Sequence, residues 1–498
     1  MLGDALAPRA RSLCCLALCA LFALWPQACG LAAKATPQPG PTAIPQPTLH
    51  PNAEPYDELR PELLTQDMLI ATSAILVETT TGTPVFEKSA DQVMFPASTT
   101  KIMTALLAIQ FGDLSETTTI SYNATNLPED ASKIPLSEGE VVNVRDLLYA
   151  MMMRSGNDGA IALAEYVSGS VEEFVDLMNR TAAFLGCTNT HFANPHGYMD
   201  ENHYTTARDM AIIARAAMEI PQFRELAATY EYTMPASNTH PVRKLVSNNY
   251  YLRNDPDNGY YSRDAIGIKT GFHSEAMNCF VGAARRNYVE FVSVVFYTSD
   301  RGRWYDTQRL MDYGFTQYVS TDPIALYAAN PRVLNISGFD LSDKANLGRL
   351  ELGIRVSPDY AERDVHVVGA LAEIEALKND FGKLSHVNWI RPDRAPVTEG
   401  ETMGILTFYP NGQETVEYEL YATRSIEARK DAPPSLADIE ASTLADPNPF
   451  PRFSWEYVTW AGVSLALFLL LLRALYRRAS SKRARKKRLP MPKHRYYR

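Results

Sequence analysis

The sequence predicts an α/β fold: an α/β sandwich whose first and last strands share one sheet, then a small all-β sandwich domain, then one C-terminal transmembrane helix. Three patterns carry that expectation. Within 67–320, β-rich runs stand at both ends of a long stretch of helical periodicity, the layout of helices enclosed by one sheet. Within 321–428, short alternating stretches are punctuated by Gly, Pro and Asn. At 455–476, an apolar run of span length precedes a basic tail. A chain of 498 residues, 46% hydrophobic and 21% charged, is ordinary globular material with room for two domains and extensions.

Residues 1–33 place Arg9 and Arg11 ahead of an uncharged run from Ser12 to about Trp25, followed by small residues. That is the order of a secretory signal peptide, with cleavage after Gly30 or Ala33. A lipoprotein box centred on Cys29 is the competing reading, and Pro26 and Gln27 fit it poorly. Cys14, Cys15, Cys19 and Cys29 leave with the signal, so the mature chain keeps Cys187 and Cys279. These two either pair, as export permits, or stand as buried free thiols, and no disulfide framework is implied. Residues 34–66 are Pro-rich with few apolar side chains and read as a stiff linker.

The globular part starts near Asp67, where "MLIATSAILVETTTGTPVFEKSA" gives two β-rich runs around "TTGT", a hairpin. Helical spacing then predicts helices over 98–111, 144–167, 171–185 and 206–218. After Tyr260 strands return in "DAIGIKTGF", "AMNCFVGAARR" and "YVEFVSVVFYT", and a helix over about 303–318 closes the domain. In 321–428, "RLELGIRVS", "DVHVVGAL", "ETMGILTFYP" and "ETVEYELYAT" predict the β-sandwich. Residues 429–454 form a second polar, Pro-bearing linker.

No charge occurs from Tyr457 to Leu472, and Trp455, Trp460 and Tyr476 stand near the edges of the run. About 20 such residues cross a bilayer as one helix, the competing reading being a buried core helix. From Arg473 onward there are twelve Lys and Arg and no acid, which puts the tail 477–498 in the cytoplasm and everything before 455 outside. The expectation is a single-pass protein of the cytoplasmic membrane with its main domain on the outer face. With a formal net charge of −9 for the whole chain, the exported part is strongly acidic. The basic tail is therefore read as a topology signal touching anionic lipid, and no nucleic-acid partner is expected.

In "PASTTKIMTALLA", Ser98 and Lys101 stand three residues apart at the head of an apolar helix. Side chains at that spacing share a face with their Cβ atoms roughly 5 to 6 Å apart, so the pair can touch as nucleophile and base. Burial of the helix disfavours an ammonium, and a neutral lysine can take a serine proton. The competing reading is a helix cap with a snorkelling lysine, but a capping box wants Glu or Gln where Lys101 stands. SxxK alone recurs by chance in chains of this size. "MMMRSGNDGA" adds Ser155, Gly156 and Asn157 at a helix boundary, and "AIGIKTGF" adds Lys269, Thr270 and Gly271 on a strand. SGN alone can be a turn, and KTG a strand end where Gly271 admits another backbone. Their joint occurrence in the order SxxK, SxN, KTG argues against coincidence.

Those motifs resemble the active-site set of the penicillin-binding proteins and serine β-lactamases. With "HFANPHGYMDENHYTTARDMA", "GIKTGFHSEAMNC" and "DRGRWYDTQRLMDYGF" around them, about 67–318 is similar to the low-molecular-mass D-alanyl-D-alanine carboxypeptidases, a serine peptidase family. "APVTEGETMGILTFYPNG" is more weakly similar to their C-terminal β-domain. Two departures are Gly156, where alanine is frequent, and Phe272 after KTG; neither removes a reacting side chain. The resemblance implies a β-lactamase/transpeptidase-like fold and removal of the terminal D-alanine from peptidoglycan pentapeptide stems, with β-lactams acylating the same serine and no cofactor or metal. It implies that Ser98 attacks, Lys101 accepts its proton and Ser155 relays that proton to the leaving D-alanine. Asn157 would hold the acyl amide, and Lys269 and Thr270 the terminal carboxylate, helped by Arg301 or Arg303. The N–H groups of Ser98 and Phe272 would form the oxyanion hole.

Three alternatives differ in class. A class A β-lactamase needs a glutamate in an ExxLN loop after SxN, whereas the Leu334–Asn335 pair here has Pro331 at the Glu position and follows KTG. A zinc D,D-peptidase needs grouped ligands; His191, His196 and His203 cluster, but no HExxH occurs and His196 in "NPHG" reads as structural. A non-catalytic wall-binding scaffold with a relic site should have lost one of Ser98, Lys101, Ser155, Asn157 or Lys269, and all are present.

Overall fold

The computed structural model describes residues 60–429, apart from 256, 344–345, 361–364, 380 and 410–414. The signal peptide, most of the first linker, the second linker, the membrane helix and the basic tail of the sequence reading lie outside the described residues. Among the described residues no helix is long and apolar enough to cross a membrane.

Strands β1 (Ser73–Glu78) and β2 (Pro84–Lys88) form the expected hairpin, with Leu76 opposite Phe86. A 3-10 turn at Ala97–Thr100 then runs into helix α1 (Lys101–Phe111). The helical layer continues through β3 (Thr117–Thr119), α2 (Tyr122–Thr125), β4 (Val141–Asn143), α3 (Val144–Arg154), α4 (Asn157–Ser168) and α5 (Val171–Leu185). It ends with α6 (Ala207–Met218), α7 (Pro221–Ala228) and a small ribbon of β5 (Glu231–Met234) and β6 (Arg243–Val246). The chain returns to the sheet as β7 (Ala265–His273), β8 (Met277–Arg286) and β9 (Val289–Thr298), and α8 (Gly302–Gln317) covers the other face. Strand order is β2-β1-β9-β8-β7, so the first and last strands share one sheet as expected and β7 is an edge.

Burial on both sides explains why β1 reads as a continuous apolar run: Ile75 and Val77 enter the core under the helices, Ala74 and Leu76 the core under α8 with Phe291 and Trp304. Helix starts follow local chemistry. The Ser170 and Thr206 hydroxyls accept the N–H groups of Glu173 and Asp209 and open α5 and α6. The single helix expected over 144–167 is two helices. Ser155 adopts φ 57° and ψ 32°, the left-handed region that ends α3, and α4 restarts at Asn157. A periodicity argument cannot see this break because apolar spacing resumes almost in phase.

The segment after 320 is not all β. Strand β10 (Tyr318–Thr321) is followed by α9 (Pro323–Ala329), started by Pro323 and by the Asp322 side chain accepting from the Ile324 N–H. Helix α10 (Leu371–Asn379) follows β13 (Val367–Ala370), which pairs with β10. The described chain divides into two compact units. The first holds everything up to Pro331 together with Val356–Ser385 and Phe408–Glu417, so its boundary lies beyond the expected 320. The second is built on a five-stranded sheet of β11 (Val333–Asn335), β12 (Arg349–Val356), β14 (Ser385–Trp389), β15 (Thr402–Phe408) and β16 (Val416–Ala422), ordered β11-β12-β16-β15-β14. Its alternation is legible: Val416, Tyr418, Leu420 and Ala422 of β16 are buried and their neighbours half-buried.

One packing detail positions the site. The Asp158 carboxylate accepts from the N–H groups of Ile134 (2.8 Å), Leu136 (3.2 Å) and Gly159 (2.9 Å), and the Asn157 N–H donates to the Ser132 carbonyl at 2.8 Å. The loop 130–136 is thereby fastened to the start of α4. A Cβ on Gly156 would stand 2.4 Å from Ile134 Cγ1, so glycine there is what lets Ile134 lie over the corner. Gly156→Ala is expected to destabilise the protein by about 1–3 kcal/mol through overpacking. Added to Ile134→Ala it should cost less than the sum of the two, with a coupling of about 1 kcal/mol in thermal or urea unfolding; strict additivity would refute the contact.

Candidate active site

Ser98 lies in the 3-10 turn and Lys101 at the head of α1, a helix whose residues from Lys101 to Ala108 are all buried. The Lys101 side chain has no exposure to solvent. Its Nζ has three partners: Ser98 Oγ at 3.0 Å, Asn157 Oδ1 at 2.7 Å and the His196 carbonyl at 2.7 Å. Two of these oxygens can only accept. A neutral amine has two N–H groups and one lone pair, so with Asn157 and His196 taking the hydrogens, the lone pair is left facing the Ser98 hydroxyl. Burial holds the Lys101 amine well below its ordinary range, and the nearby charge of Lys269 lowers it further, against a weaker opposing pull from Asp158.

A second lysine–serine pair lies beside the first. The left-handed turn at Ser155 sets its hydroxyl 3.0 Å from Lys269 Nζ, which also donates to the Thr270 carbonyl at 2.9 Å. Lys269 is 2% exposed, and burial together with the Arg303 guanidinium brings its amine down to about 7.

Strand β7 presses against the 3-10 turn. A Cβ on Gly271 would stand 3.1 Å from the Ser98 nitrogen and 3.0 Å from the Pro96 carbonyl, so the KTG glycine is the residue that permits this approach. Gly197, at φ 81°, closes the other side, where a Cβ would overlap the Ala97 carbonyl. Between these walls Ser98 and Asn157 open into a cavity of about 620 Å³, also lined by Ala131, Ser132, Tyr198 and the exposed Phe272.

The structure thus assembles Ser98, Lys101, Ser155, Asn157, Lys269, Thr270, Gly271 and Phe272 in one place. It also separates the two arginines. Arg303 is mostly buried, paired with Asp300 at 2.5 Å, stacked 4.8 Å over Trp304, and near enough to act on Lys269. Arg301 is exposed at the cap of α8, where its charge acts on Tyr260. His203, brought down to about 3 by burial, contacts Thr100 Oγ1 through Nε2 and accepts the Ala193 N–H at Nδ1. His196 accepts the Tyr198 N–H, and burial keeps it neutral. Among the described residues no three metal-binding side chains converge. Cys187 and Cys279 are both free and buried, and burial pushes each thiol up to about 12. Sequence reasoning missed the His196 carbonyl and Asp158; the quoted "NPHG" was the available signal for the first.

The sequence profile of the D-alanyl-D-alanine carboxypeptidase family, peptidase S11, matches residues 62–300. D-alanyl-D-alanine carboxypeptidase DacF of Bacillus subtilis is 35% identical over 272 residues, which cover 53% of this chain and 67% of that one. The chain belongs to this family. A D-alanyl-D-alanine carboxypeptidase of Streptomyces sp. is 35% identical over 269 residues, 51% of this chain and 89% of its own. The crystal structure of the Streptomyces K15 DD-transpeptidase superposes with a TM-score of 0.47 at 34% identity, covering 51% of this chain and 100% of that one.

The socket of this family member makes a direct prediction about protonation. With lysines labelled at Cε, an NMR titration should show Lys269 changing state near pH 7 and Lys101 neutral there. In Lys269→Met, loss of the neighbouring positive charge should raise the Lys101 midpoint. A Lys101 that titrates in the ordinary lysine range would remove the neutral-amine geometry.

Proposed function

We propose that the chain is a serine-type D-Ala-D-Ala carboxypeptidase that removes the terminal D-alanine from peptidoglycan stem pentapeptides through an acyl-enzyme on Ser98, and that β-lactams block it by acylating the same oxygen. The observation that carries this reading is the Lys101 amine, held by two acceptors with its lone pair toward Ser98. The Ser98 proton moves to Lys101 Nζ as Oγ bonds to the carbonyl between the two D-alanines. The oxyanion is taken by the N–H groups of Ser98 and Phe272, on either side of the Gly271 contact. The proton then passes through the Ser155 hydroxyl to the departing amine as the C–N bond breaks. Lys269 and Thr270, with Arg303 behind them, hold the carboxylate of the leaving residue. Asn157 orients the acyl side. Water then attacks the ester with Lys101 again as base, and Ser98 regains its proton. The β-lactamase alternative loses support because Leu334 and Asn335 lie on β11 in the second unit.

Benzylpenicillin should add one penicilloyl mass to the peptide carrying Ser98, Ser98→Ala should show none, and Lys101→Ala should acylate roughly 10²-fold more slowly. D-alanine should be released from a pentapeptide ending in D-Ala-D-Ala, and amidating that terminus should depress turnover strongly. Its kcat/KM should fall on the acid side as Lys101 protonates and on the alkaline side from about pH 7 as free-enzyme Lys269 loses its charge. Turnover of the amide at the rate of the acid would point to an endopeptidase.

The same reading includes anchoring on the outer face of the cytoplasmic membrane by the helix expected at 455–476, which follows the linker 429–454 in the sequence. What supports it is the uncharged run between an export signal and a basic tail. A chain stopped at Pro449 with its signal retained should be exported in soluble form with its turnover intact. Retention of that chain in alkali-washed membranes would overturn the anchor.

A further inference from the structure

A second cavity, of about 660 Å³, lies between α8 and the loop leading into β7 and shares no residue with the catalytic one. Tyr305, Gln308, Asp312 and Phe315 line it at helical spacing from the face of α8 opposite the buried Trp304, Thr307 and Leu310. The loop is braced before any ligand arrives. The Asn258 amide donates to the carbonyls of Tyr250 and Arg253, each at 2.6 Å, and accepts the Tyr260 N–H at 3.2 Å. Gln308 reaches across to the Gly259 carbonyl at 3.4 Å. A row of rings then links the cavity to the catalytic site. The Arg303 guanidinium, whose charge acts on Lys269, stacks over Trp304. The Trp304 ring meets Tyr250 at 5.7 Å and Tyr260 at 6.1 Å between centroids, and Tyr260 stands edge-on to Tyr305 at 5.4 Å. Tyr250 and Tyr305, at the two ends of the row, are 40% and 41% exposed, so ring surface faces water at both.

The lining decides the class of ligand. Arg286 pairs with Asp264 at 2.7 Å and Arg309 with Asp306 at 3.6 Å, so the wall offers donors and acceptors with little net charge and no cradle for a polyanion. Among the described lining residues Met311 and Phe315 alone are wholly apolar, too little for a lipid or an apolar peptide. Balanced hydrogen-bonding groups beside exposed aromatic rings suit a neutral polyhydroxy ligand. Its C–H faces lie on tyrosine, and its hydroxyls and amides meet the paired side chains. Resting on the carboxypeptidase reading above for the choice of polymer, we propose that this cavity, with Tyr305 at its mouth, binds the amino-sugar glycan of the cell wall. In that reading a stem enters with its free end toward Lys269, so the strand held beyond Lys269 is a neighbour of the one that carries the stem. Its effect is tethering, which keeps the enzyme among glycan strands while stems are exchanged.

The test titrates the full chain in detergent with chitotetraose, and with maltotetraose as the control, by calorimetry. Chitotetraose should bind with a Kd of about 1 mM. Tyr305→Ala should weaken it about tenfold and Tyr305→Phe should keep it, the ring being the platform. Circular dichroism with the thermal midpoint checks that each variant is folded. On stem-bearing glycan strands Tyr305→Ala should lower kcat/KM for D-alanine release about tenfold, mostly through KM, while a free pentapeptide is turned over as by the native chain. Three results overturn the inference and leave the carboxypeptidase reading standing: no saturable chitotetraose binding, equal binding of maltotetraose, or a Tyr305→Ala chain that binds and trims strands as the native one does. An equal loss on the free pentapeptide overturns the tether as well. A native chain that binds chitotetraose and releases D-alanine from neither substrate overturns the carboxypeptidase reading and leaves the saccharide site in place.

Discussion

A lysine amine with no access to water and two obligate acceptors beside it is the constraint on which the rest of the first unit depends. An ammonium at that depth would have to recover several kcal/mol of lost hydration, and its neighbours do not provide a carboxylate partner. Asp158, the nearest acid in effect, spends its oxygens on backbone N–H groups. The amine therefore stays neutral, and its lone pair has one hydroxyl to face. Each acceptor needs its own support. The His196 carbonyl is held where it is by Gly197, whose left-handed backbone lets the loop touch the 3-10 turn, and Asn157 reaches Lys101 because Ser155 breaks the helix one residue before Gly156.

How much of this could be read from the sequence follows from what each residue does. Ser98, Lys101, Ser155, Asn157 and Lys269 are legible because the proposed chemistry needs those side chains to react or to bind. The strands and most helices are legible because burial on one or both faces imposes a period. The helix break at Ser155 is not, since the apolar period continues across it. Asp158 is illegible for another reason: apart from the adjacent Gly159 N–H, its partners are main-chain N–H groups more than twenty residues away, and any loop sequence supplies those. Arg301 and Arg303 read alike at the start of α8, and only the fold leaves the first exposed and buries the second near Lys269. In the segment after 320, α9 and α10 were hidden by their shortness, seven and nine residues, too few for a helical period to stand out from alternating strands.

In the proposed mechanism the two buried lysines need opposite protonation states in one small volume, one as base and one as cation for a carboxylate. The structure separates them through asymmetry in what each one feels. Lys101 feels the charge of Lys269, whereas Lys269 is pressed chiefly by burial and by Arg303. Burial holds Lys101 well below its ordinary range, and a charged Lys269 lowers it further. Near neutrality Lys269 is poised, and an arriving carboxylate favours its charged form, which in turn keeps the Lys101 lone pair free. In that mechanism, anchoring the substrate and arming the base are one electrostatic event. The Arg303 charge adds to burial in lowering Lys269 to about 7, the range where, in that mechanism, a bound carboxylate and not the bulk pH alone decides whether the anchor is charged.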